Sequence, residues 1–593
     1  MSFEIISANY NKATDRDKLG QEVVEEYDYD NRRLTSYHDN CNSWYKYYRG
    51  IWNKEDYPFR SKIFINMIYS VVETIKPRLM GYLFNSQPYV SLRALDRDSH
   101  EYIDQTESAL NSQYNYPFFK ITMNDWITQG LIMGLSTLKL RWRYKEKKKY
   151  LPAFDDFGNM NMEEYYEIFD APRFECVNQR NMFYPDEYKD IQEKAYIGEM
   201  VAVSREWLEM QAKAGLLDGK AVRDVIDNAP EGTSLFDIET DKQFKYEKNS
   251  IDTDASNKYR RMYVLLYYYN NEKNIHAVVE YNTRKCLKVH PNFYSVYPYS
   301  AITPISDPYN TEGISVVEGI YDIQEELNAK RNLSLDWFTL MLAPIFLVDP
   351  TSGLDVNKII RRPGAHYKAR DIQNAIKAVD SPAIPPDFYR MLDLWAGDIQ
   401  LVTGVNDYTK GTGSRSISNE TASGISMLTQ EANQRFKIMI DMISCGVMQM
   451  VEIQKELNTI FWRENKNVPR SRMEIKKIAD GYVDVNPNAF LGNYNYYIGA
   501  SGSPDVNPLI QKQQLLEFLS IISKIPQELY LSDEFKPSFA NIIKEIARLS
   551  NLEPMEVLER TNIQKEVYNK LLMEGRIPPG QGGEMPPANA PQG

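Results

Sequence analysis

The strongest constraint in this sequence is an uninterrupted helical pattern around residue 440. Apolar residues recur there at close to 3.6-residue spacing: they are Ile425, Leu428, Ala432, Phe436, Met439, Ile443, Val447, Met450, Leu457 and Phe461. No proline occurs between Pro386 and Pro469. The pattern predicts a helix from about 420 to 464, which at 1.5 Å per residue would be roughly 65 Å long. Such a helix is longer than an ordinary globular one.

Shorter elements are predicted in the first 300 residues, which have an α+β character. Helical patterns cover Ile63–Phe84 and Phe118–Gly134, and Asp98 or Ser99 is placed to cap a further helix between them. The whole chain has 593 residues, enough for about three to five structural units. The predicted fold class is α+β, mainly helical and multi-domain.

Alternating apolar residues predict several strands in the same region. The predicted strands are PYVSLRAL at 88–95, STLKLRWRYK at 136–145, a hairpin over Lys145–Phe169, and an antiparallel meander of Met262–Tyr269, Ile275–Tyr281 and Lys285–His290. Ser204 and Gly215 are of the residue types that begin and end a helix. Residues 291–310 are punctuated by prolines and are predicted to be a linker. The 42 tyrosines are expected to form half-buried sheet and subunit surface.

The central third of the chain is organised differently. A long helix is predicted over Gly313–Leu342, with a polar stretch at Ala329–Asn332, and Pro344 stops it. Residues 345–385 read as a short α/β insert, and Phe388–Val402 returns to helix. Because polar residues interrupt these two helices, we expect them to be poorly buried in one subunit and to complete their packing against neighbours.

The segment that follows is predicted to be an exposed loop, Gly404–Asn419, since it combines glycines with polar turn formers and has no apolar face. It contains a GxG pattern but lacks the third glycine, the preceding strand and the Lys-Ser/Thr pair of nucleotide-binding motifs. Beyond the long helix, strands are predicted in MEIKKIADGYVDVN and NYNYYIGAS, then helices from Asn507. The Pro- and Gly-rich residues 576–593 are predicted to be disordered.

No catalytic, metal or cofactor site is predicted. The cysteines Cys41, Cys176, Cys286 and Cys445 lie far apart, without a CxxC or Cys/His cluster, which argues against a disulfide scaffold or zinc module. The five histidines are isolated in the sequence and are expected to be structural or surface residues. A net charge of −12 argues against a general nucleic-acid-coating polycation. The polar start does not resemble a secretory signal, and no apolar run is long enough for a membrane span, so we expect a cytosolic protein.

The order of the central parts resembles that of the portal proteins of tailed double-stranded DNA bacteriophages. The resemblance is carried by SVVEGIYDIQEELNAKRNLSLDWF at 315–338, LVTGVNDYTKG at 401–411 and ETASGISMLTQEANQRFK at 420–437. DWITQGLIMGLSTLKLRW and FYPDEYKDIQEKAYI give weaker support. Portal proteins form rings, usually of twelve subunits, at one vertex of the capsid.

The resemblance implies a portal architecture of wing, stem, clip and crown. The implied parts are 1–312 wing, 313–343 first stem helix, 344–385 clip, 386–403 second stem helix, 404–419 tunnel loop, 420–504 long helix and strands returning to the wing, 505–575 crown and 576–593 disordered tail. The implied function is a channel for genome packaging and ejection, without catalysis or cofactors. The implied partners are other copies of the chain, double-stranded DNA bound without sequence preference, a terminase, capsid and scaffolding proteins, and adaptor or tail proteins, with no membrane. The protein would be a virion component assembled in the bacterial cytoplasm.

Two groups of residues are candidate contact sites. The tunnel-loop group comprises Lys410, Arg415, Gly404, Gly411 and Gly413, whose cations would touch DNA phosphates in the channel; an exposed flexible turn is the alternative. The clip group comprises Arg361, Arg362, Lys368 and Arg370, basic residues concentrated in ten positions of an acidic chain; a solvated charge run is the alternative to partner docking.

Two other functions stay open at this point. The first is an intracellular helical scaffold that assembles through the long helix as a coiled coil, although the apolar period does not keep a strict 3.5 repeat. The second is a hydrolase without a recognisable motif.

Overall fold

The computed structural model describes residues 13–52, 60–84, 88–115, 118–154, 160–228, 262–292, 294–342, 346–352, 368, 376–378, 394, 397–405, 422–461, 474–477 and 481–498. The chain divides into two compact units: Met1–Met473 with Val485–Ala500, and Glu474–Asp484 with Ser501–Gly593. The described part of the second unit is an antiparallel hairpin of the predicted MEIKKIADGYVDVN strands. The predicted C-terminal helices and tail lie outside the described residues.

The α-helices in the described part of the chain are α1 (Ala13–Arg49), α2 (Met67–Phe84), α3 (Arg97–His100), α4 (Ile103–Ser112), α5 (Phe119–Met133), α6 (Arg205–Lys213), α7 (Gly219–Asn228), α8 (Tyr321–Leu342) and α9 (Ala422–Phe461). A further segment, 397–403, is also helical. The predicted long helix is confirmed as the 40-residue α9. The cap at Ser204 is confirmed as well, since its Oγ accepts a hydrogen bond from the Trp207 N–H.

The strands of the described residues are β1 (Val90–Ala94), β2 (Ser136–Phe154), β3 (Met160–Val177), β4 (Met182–Phe183), β5 (Tyr196–Ser204), β6 (Met262–Asn270), β7 (Ile275–Glu280), β8 (Lys285–Pro291), β9 (Tyr299–Ile302), β10 (Phe346–Val348), β11 (Ile376–Ala378), β12 (Glu474–Lys477), β13 (Gly481–Asp484) and β14 (Tyr494–Ile498). They form a five-stranded sheet in the order β4-β5-β6-β7-β8, a three-stranded sheet β3-β2-β9 and the pairs β1-β14, β10-β11 and β12-β13. The predicted meander is confirmed as β6-β7-β8, and the predicted hairpin is part of a longer one, β2-β3. The mixture of helices and strands confirms the α+β class.

The five-stranded sheet is covered on both faces, which fits the continuous apolar and aromatic sequence of β6, MYVLLYYYN. Leu266 and Tyr268 of β6 face one apolar cluster, which Leu19, Val23 and Tyr27 of α1 complete. The odd-numbered positions of β6, Tyr263 and Leu265, face a second cluster together with Leu208 of α6 and Val222 and Val225 of α7. Helix α1 was not predicted, because its buried positions, although mostly three or four residues apart, include tyrosine, tryptophan, cysteine and aspartate rather than a continuous aliphatic stripe.

The predicted linker at 291–310 is wrong for its central part. Residues Tyr299–Ile302 form strand β9, which pairs with the first residues of β2. Tyr297 and Tyr299 are fully buried, and their hydroxyl groups donate to the Lys194 carbonyl at 2.8 Å and to Glu199 Oε2 at 2.9 Å. The prolines made this segment look like a connection, whereas buried, hydrogen-bonded tyrosines make it part of the core.

Two predicted helix starts are also wrong. Asp96, not Asp98 or Ser99, is the capping residue, since its Oδ1 accepts from the Ser99 N–H at 2.7 Å. The single helix predicted here is two helices, the short α3 and the separate α4. The helix predicted from Gly313 begins only near Glu318, with a 3-10 turn that leads into α8. Its first residues are not helical because the N–H groups of Ile314 and Val316 donate to the carbonyls of Ile305 and Leu131.

The middle and C-terminal half of α9 lie in the core of the first unit. Ile443, Val447, Val451 and Leu457 are fully buried, and each such side chain contributes about 1.5 to 3 kcal/mol of hydrophobic stabilisation. Gly446 lets the helix approach β9 closely, and the Ser300 hydroxyl donates to the Gly446 carbonyl at 2.7 Å. Helix α9 therefore packs within the first unit, which also contains α8.

Candidate functional site

The polar interruption of helix α8 is a row of side chains placed one turn apart. Gln324, Asn328, Asn332 and Asp336 recur every four residues and so lie on one face of the helix. The first three are almost completely buried. Such amides are expensive to bury unless their hydrogen bonds are made within the protein.

These four side chains bind the main chain of segment 60–68, which is extended up to residue 66 and then enters α2. Their hydrogen bonds run from Arg60 and Ser61 N–H to Asp336 (both 2.7 Å), from Ile63 N–H to Asn332 (2.8 Å), from Ile65 N–H to Asn328 (2.9 Å) and from Met67 N–H to Gln324 (2.7 Å). Asn332 and Gln324 also donate back, to the carbonyls of Ile63 and Ile65. We call this arrangement the amide ladder.

The spacing of the ladder has a simple geometric basis. Four residues of α-helix rise about 6 Å, and two residues of extended chain rise about 6.6 Å. Each turn of α8 therefore lies beside every second residue of the extended segment. One side chain per turn makes the main-chain hydrogen bond that a neighbouring β-strand would otherwise make. The helix predicted from Ile63 begins only at Met67 for the same reason, because the N–H groups before it are held extended.

The ladder corrects the expectation that the polar stretch of the helix predicted from Gly313, now seen as α8, stays poorly buried in one subunit. Gln324 and Asn332 both accept and donate within the chain, whereas Asn328 only accepts and its Nδ2 is buried without a hydrogen-bond partner. Other faces of the helix are exposed: Leu333, Phe338 and Met341 are 43 %, 38 % and 42 % exposed. Of the four ladder residues, the predicted polar stretch Ala329–Asn332 contained only Asn332. The sequence could not name the partners of the ladder, which lie more than 250 positions away.

The helical segment 397–403 ends in a defined turn. Gly404 has a φ of +70°, a left-handed conformation that favours glycine, and its N–H donates to the Gln400 carbonyl at 2.8 Å. The Thr403 hydroxyl donates to the Ile399 carbonyl at 2.7 Å and accepts from the Val405 N–H at 3.2 Å. Ile399 and Val405 are buried, so both sides of the turn are anchored.

Helix α9 supplies a cation to this turn. Arg435 Nη1 lies 3.2 Å from the Leu401 carbonyl oxygen and 3.4 Å from that of Val402. A Cβ atom at Gly404 would lie 3.2 Å from Arg435 Cδ. Sequence reasoning missed Arg435, since it belongs to the long helix and not to the loop. The available signal was a cation on the helix that follows a helix ending in glycine.

The predicted site residues are only partly within the described part of the chain. Gly404 is at the turn described above, and Lys368 is exposed. The other predicted residues, Arg361, Arg362, Arg370, Lys410, Gly411, Gly413 and Arg415, lie outside the described residues. The proposed contacts of both groups stay predictions.

A buried acidic site lies where α1 meets β5. Asp30 is fully buried, and its Oδ2 accepts from the Tyr196 hydroxyl at 3.0 Å, while Arg33 Nε is 3.9 Å from its other oxygen. Burial raises the pKa of Asp30 to about 7, against the opposing effects of Tyr196 and Arg33. Burial also raises the pKa of the neighbouring Glu26 and lowers that of Lys194 to about 8. Burial thus shifts the pKa of all three groups in the direction that favours the neutral form.

Two of the histidines, which are isolated in the sequence, are neighbours in the sheet. His276 Nδ1 and His290 Nε2 are 2.8 Å apart across β7 and β8, and the His276 ring stacks on Tyr269 with centroids 4.2 Å apart. Burial lowers the pKa of both histidines, that of His276 well below its usual value. Their neutral rings pack in the sheet, which fits the structural role expected for them.

Searches of the described residues find neither a metal-binding cluster nor a membrane helix. No group of three or more His, Cys, Asp or Glu side chains there could hold a metal ion. Within the same residues, no helix is both long and apolar enough to span a bilayer.

Comparison with known proteins identifies the family. No curated protein matches the chain. A family model described as the phage SU10 portal protein matches residues 155–562, more than half of the chain, and this range includes α8, the turn at Gly404 and α9. The chain therefore belongs to the phage SU10 portal protein family.

Proposed function

We propose that the chain is the repeating subunit of a closed ring, most commonly of twelve copies, which occupies one capsid vertex and conducts DNA during packaging and ejection. The observation that carries the proposal is the family match over residues 155–562. Portal proteins are structural components of the virion, and the family implies association with capsid and terminase.

The exposure of the predicted stem supports a ring. Leu394 and Leu401, in or near the second stem helix, are 63 % and 75 % exposed, and Leu347 at the start of the clip is 62 % exposed. Large apolar side chains at such exposure gain stability when a neighbour covers them. A cyclic ring supplies two different neighbours for each subunit through a heterologous contact that closes by rotation.

We place the parts of the ring as the resemblance implies. The wing is 1–312 with 420–504. The two stem helices are 313–343, which contains α8, and 386–403. The clip is 344–385, the tunnel loop is 404–419 and the crown is 505–575. The amide ladder then joins the first stem helix to the wing segment 60–68. A stem tied by hydrogen bonds to a large wing keeps its orientation while DNA moves past it.

The charge of the chain suits a conduit. A net charge of −12 repels phosphates overall, whereas each phosphate that a channel neutralises adds affinity and so slows sliding. In this proposal a few cations, Lys410 and Arg415 of the tunnel loop, make brief contacts with DNA. The basic clip residues Arg361, Arg362, Lys368 and Arg370 dock the terminase during packaging and an adaptor protein afterwards.

The packing of α9 weighs against the helical scaffold. Its buried face contacts β9, α2 and β14 of the same subunit. That face is therefore occupied within the chain, whereas a coiled coil needs a continuous apolar seam for its partner.

Electron microscopy and native mass spectrometry of the purified protein test the proposal together. We expect rings with an axial hole and a mass of about twelve subunits. Monomers or dimers under all assembly conditions would contradict it, and so would elongated filaments joined through α9.

A further inference from the structure

We infer that Arg435 is the positioning residue that sets where the chain leaves the second stem helix and enters the tunnel loop, an inference that rests on the proposed function. Nothing in the loop sequence indicates this residue, because it lies on α9, 13 positions beyond the start of that helix. The inference is carried by its contacts with the turn at 401–404.

The first step concerns the carbonyl groups at the end of a helix. The last four carbonyls of an α-helix have no N–H partner within the helix, and cations near that end are favoured by the helix dipole. At the end of segment 397–403, Arg435 Nη1 approaches two of them, those of Leu401 and Val402, at 3.2 and 3.4 Å. A guanidinium group can bridge two acceptors because its donors are held in a rigid plane.

The second step concerns Gly404. Its φ of +70° directs the chain out of the helix, and its missing side chain leaves room for Arg435. A Cβ atom there would come within 3.2 Å of Arg435 Cδ and 3.4 Å of Nη1. An alanine at this position would therefore both strain the turn and displace the arginine from the carbonyls.

The third step concerns the surroundings of the turn. Ile399 and Val405 are buried on either side of it, and a Cβ atom at Gly319 would lie 3.2 Å from Val402 Cγ1, so the segment packs closely on the start of the first stem helix. Arg435 adds the link to α9. The turn is thus held by both neighbours, the first stem helix and α9, and twelve identical turns would present their loops at one height in the channel.

The test compares Arg435→Ala, Arg435→Gln, Arg435→Lys, Gly404→Ala and the double variant Arg435→Ala/Gly404→Ala. A matched control is Arg205→Ala, which removes an exposed arginine that pairs with Glu209 on α6, far from the stem in sequence. Ring formation is checked by electron microscopy. The readouts are hydrogen exchange of the Gly404 amide in the purified protein and the fraction of assembled heads that retain full-length DNA.

We expect rings from all the variants. Arg435→Ala and Gly404→Ala should each speed exchange of the residue 404 amide by about fivefold and lower the retained fraction by a similar factor. The double variant should be no worse than the more affected single variant, because both changes remove the same contact. Arg435→Gln keeps a neutral amide donor, so it should recover at least part of both losses, and Arg205→Ala should match the wild type.

Unchanged exchange in Arg435→Ala, or additive losses in the double variant, would overturn the positioning role. Loss of retention in Arg435→Gln with unchanged exchange of the residue 404 amide would also overturn it, because the arginine would then act on DNA phosphates and not on the turn. Failure of the wild-type protein to form rings would reject the proposed function instead. In that case the exchange of the residue 404 amide alone decides whether Arg435 holds the turn.

Discussion

Asn332 on helix α8 binds both main-chain polar groups of Ile63. Its Oδ1 accepts from the Ile63 N–H at 2.8 Å, and its Nδ2 donates to the Ile63 carbonyl at 2.9 Å. A helix side chain thus pairs with a peptide group as a neighbouring β-strand would. The fully buried Asn332 is the central example of the amide ladder, which joins the predicted first stem helix to segment 60–68 of the predicted wing.

Asn332→Asp is expected to destabilise the protein by about 1 to 3 kcal/mol, the cost of an unsatisfied buried polar group. The carboxylate keeps the size of the amide but has no N–H to donate to the Ile63 carbonyl, and the two oxygens would repel each other. Urea unfolding monitored by circular dichroism measures the change. Thr339→Ala on the exposed face of α8 is the control, since its hydroxyl donates only to its own helix at Leu335; equal midpoints for the two variants would contradict the prediction.

Asp30→Asn is expected to stabilise the protein relative to the wild type as the pH rises. The folded-state pKa of Asp30 is about 7, above its ordinary value of 3.8, so between these values the folded state binds more protons than the unfolded state. The contribution of Asp30 to stability therefore falls as the pH rises from 4 to 7 and is constant above about 8. Each unit of pKa shift corresponds to about 1.4 kcal/mol.

The measurement for Asp30 is the difference in melting temperature between Asp30→Asn and the wild type at pH 5 and pH 8. Comparing the two melting temperatures at each pH cancels the effect of distant ionisable groups, because those groups are the same in both proteins. The charged and titratable neighbours of residue 30, which are Glu26, Arg33, Tyr196 and Lys194, are also present in both proteins. The advantage of the variant should be larger at pH 8. An equal or smaller advantage at pH 8 would show that Asp30 is ionised in the folded protein at both pH values.

Replacing Lys410 and Arg415 together with Ser should preserve ring assembly and early packaging but shorten the retained genome. The reason is that the tunnel loop would lose its two proposed phosphate contacts and with them its hold on the packaged DNA. Pulsed-field gel electrophoresis of DNA from filled heads measures the length. Normal retention of full-length DNA by this double variant would exclude the electrostatic role and leave a steric role for the loop.

Replacing Arg361 and Arg362 together with Glu should leave isolated rings intact while blocking attachment of the adaptor protein. The change reverses two charges in the predicted docking surface of the clip, and like charges at an interface cost affinity and slow association. Co-sedimentation of rings with the adaptor at low and moderate salt measures attachment. Lys220→Glu with Arg223→Glu on α7, distant from the clip in sequence, is the charge-matched control. Attachment equal to that of the control would reject docking through Arg361 and Arg362.

Local patterns determined much of this protein before its tertiary structure was known. The 3.6-residue apolar period predicted α9 within three residues at each end, because a buried helix must repeat its contacts every turn. The alternation of apolar residues predicted strands β6, β7 and β8 with their turns. The residue type of Ser204 predicted the start of the helix that follows it. The order of the central segments was enough to indicate the portal family, which the family match confirmed.

Only the tertiary structure decided which polar and proline-rich segments are core. Gln324, Asn328 and Asn332 look like an interruption of a helix, and Tyr297 and Tyr299 look like part of a linker, until their partners at 63–67 and at 194–199 are known. Arg435 likewise gains a role only when α9 lies beside the turn at Gly404. The physical reason is that hydrophobic periodicity depends on neighbours three or four positions apart, whereas the cost of burying a polar group is set by a hydrogen-bond partner anywhere in the chain.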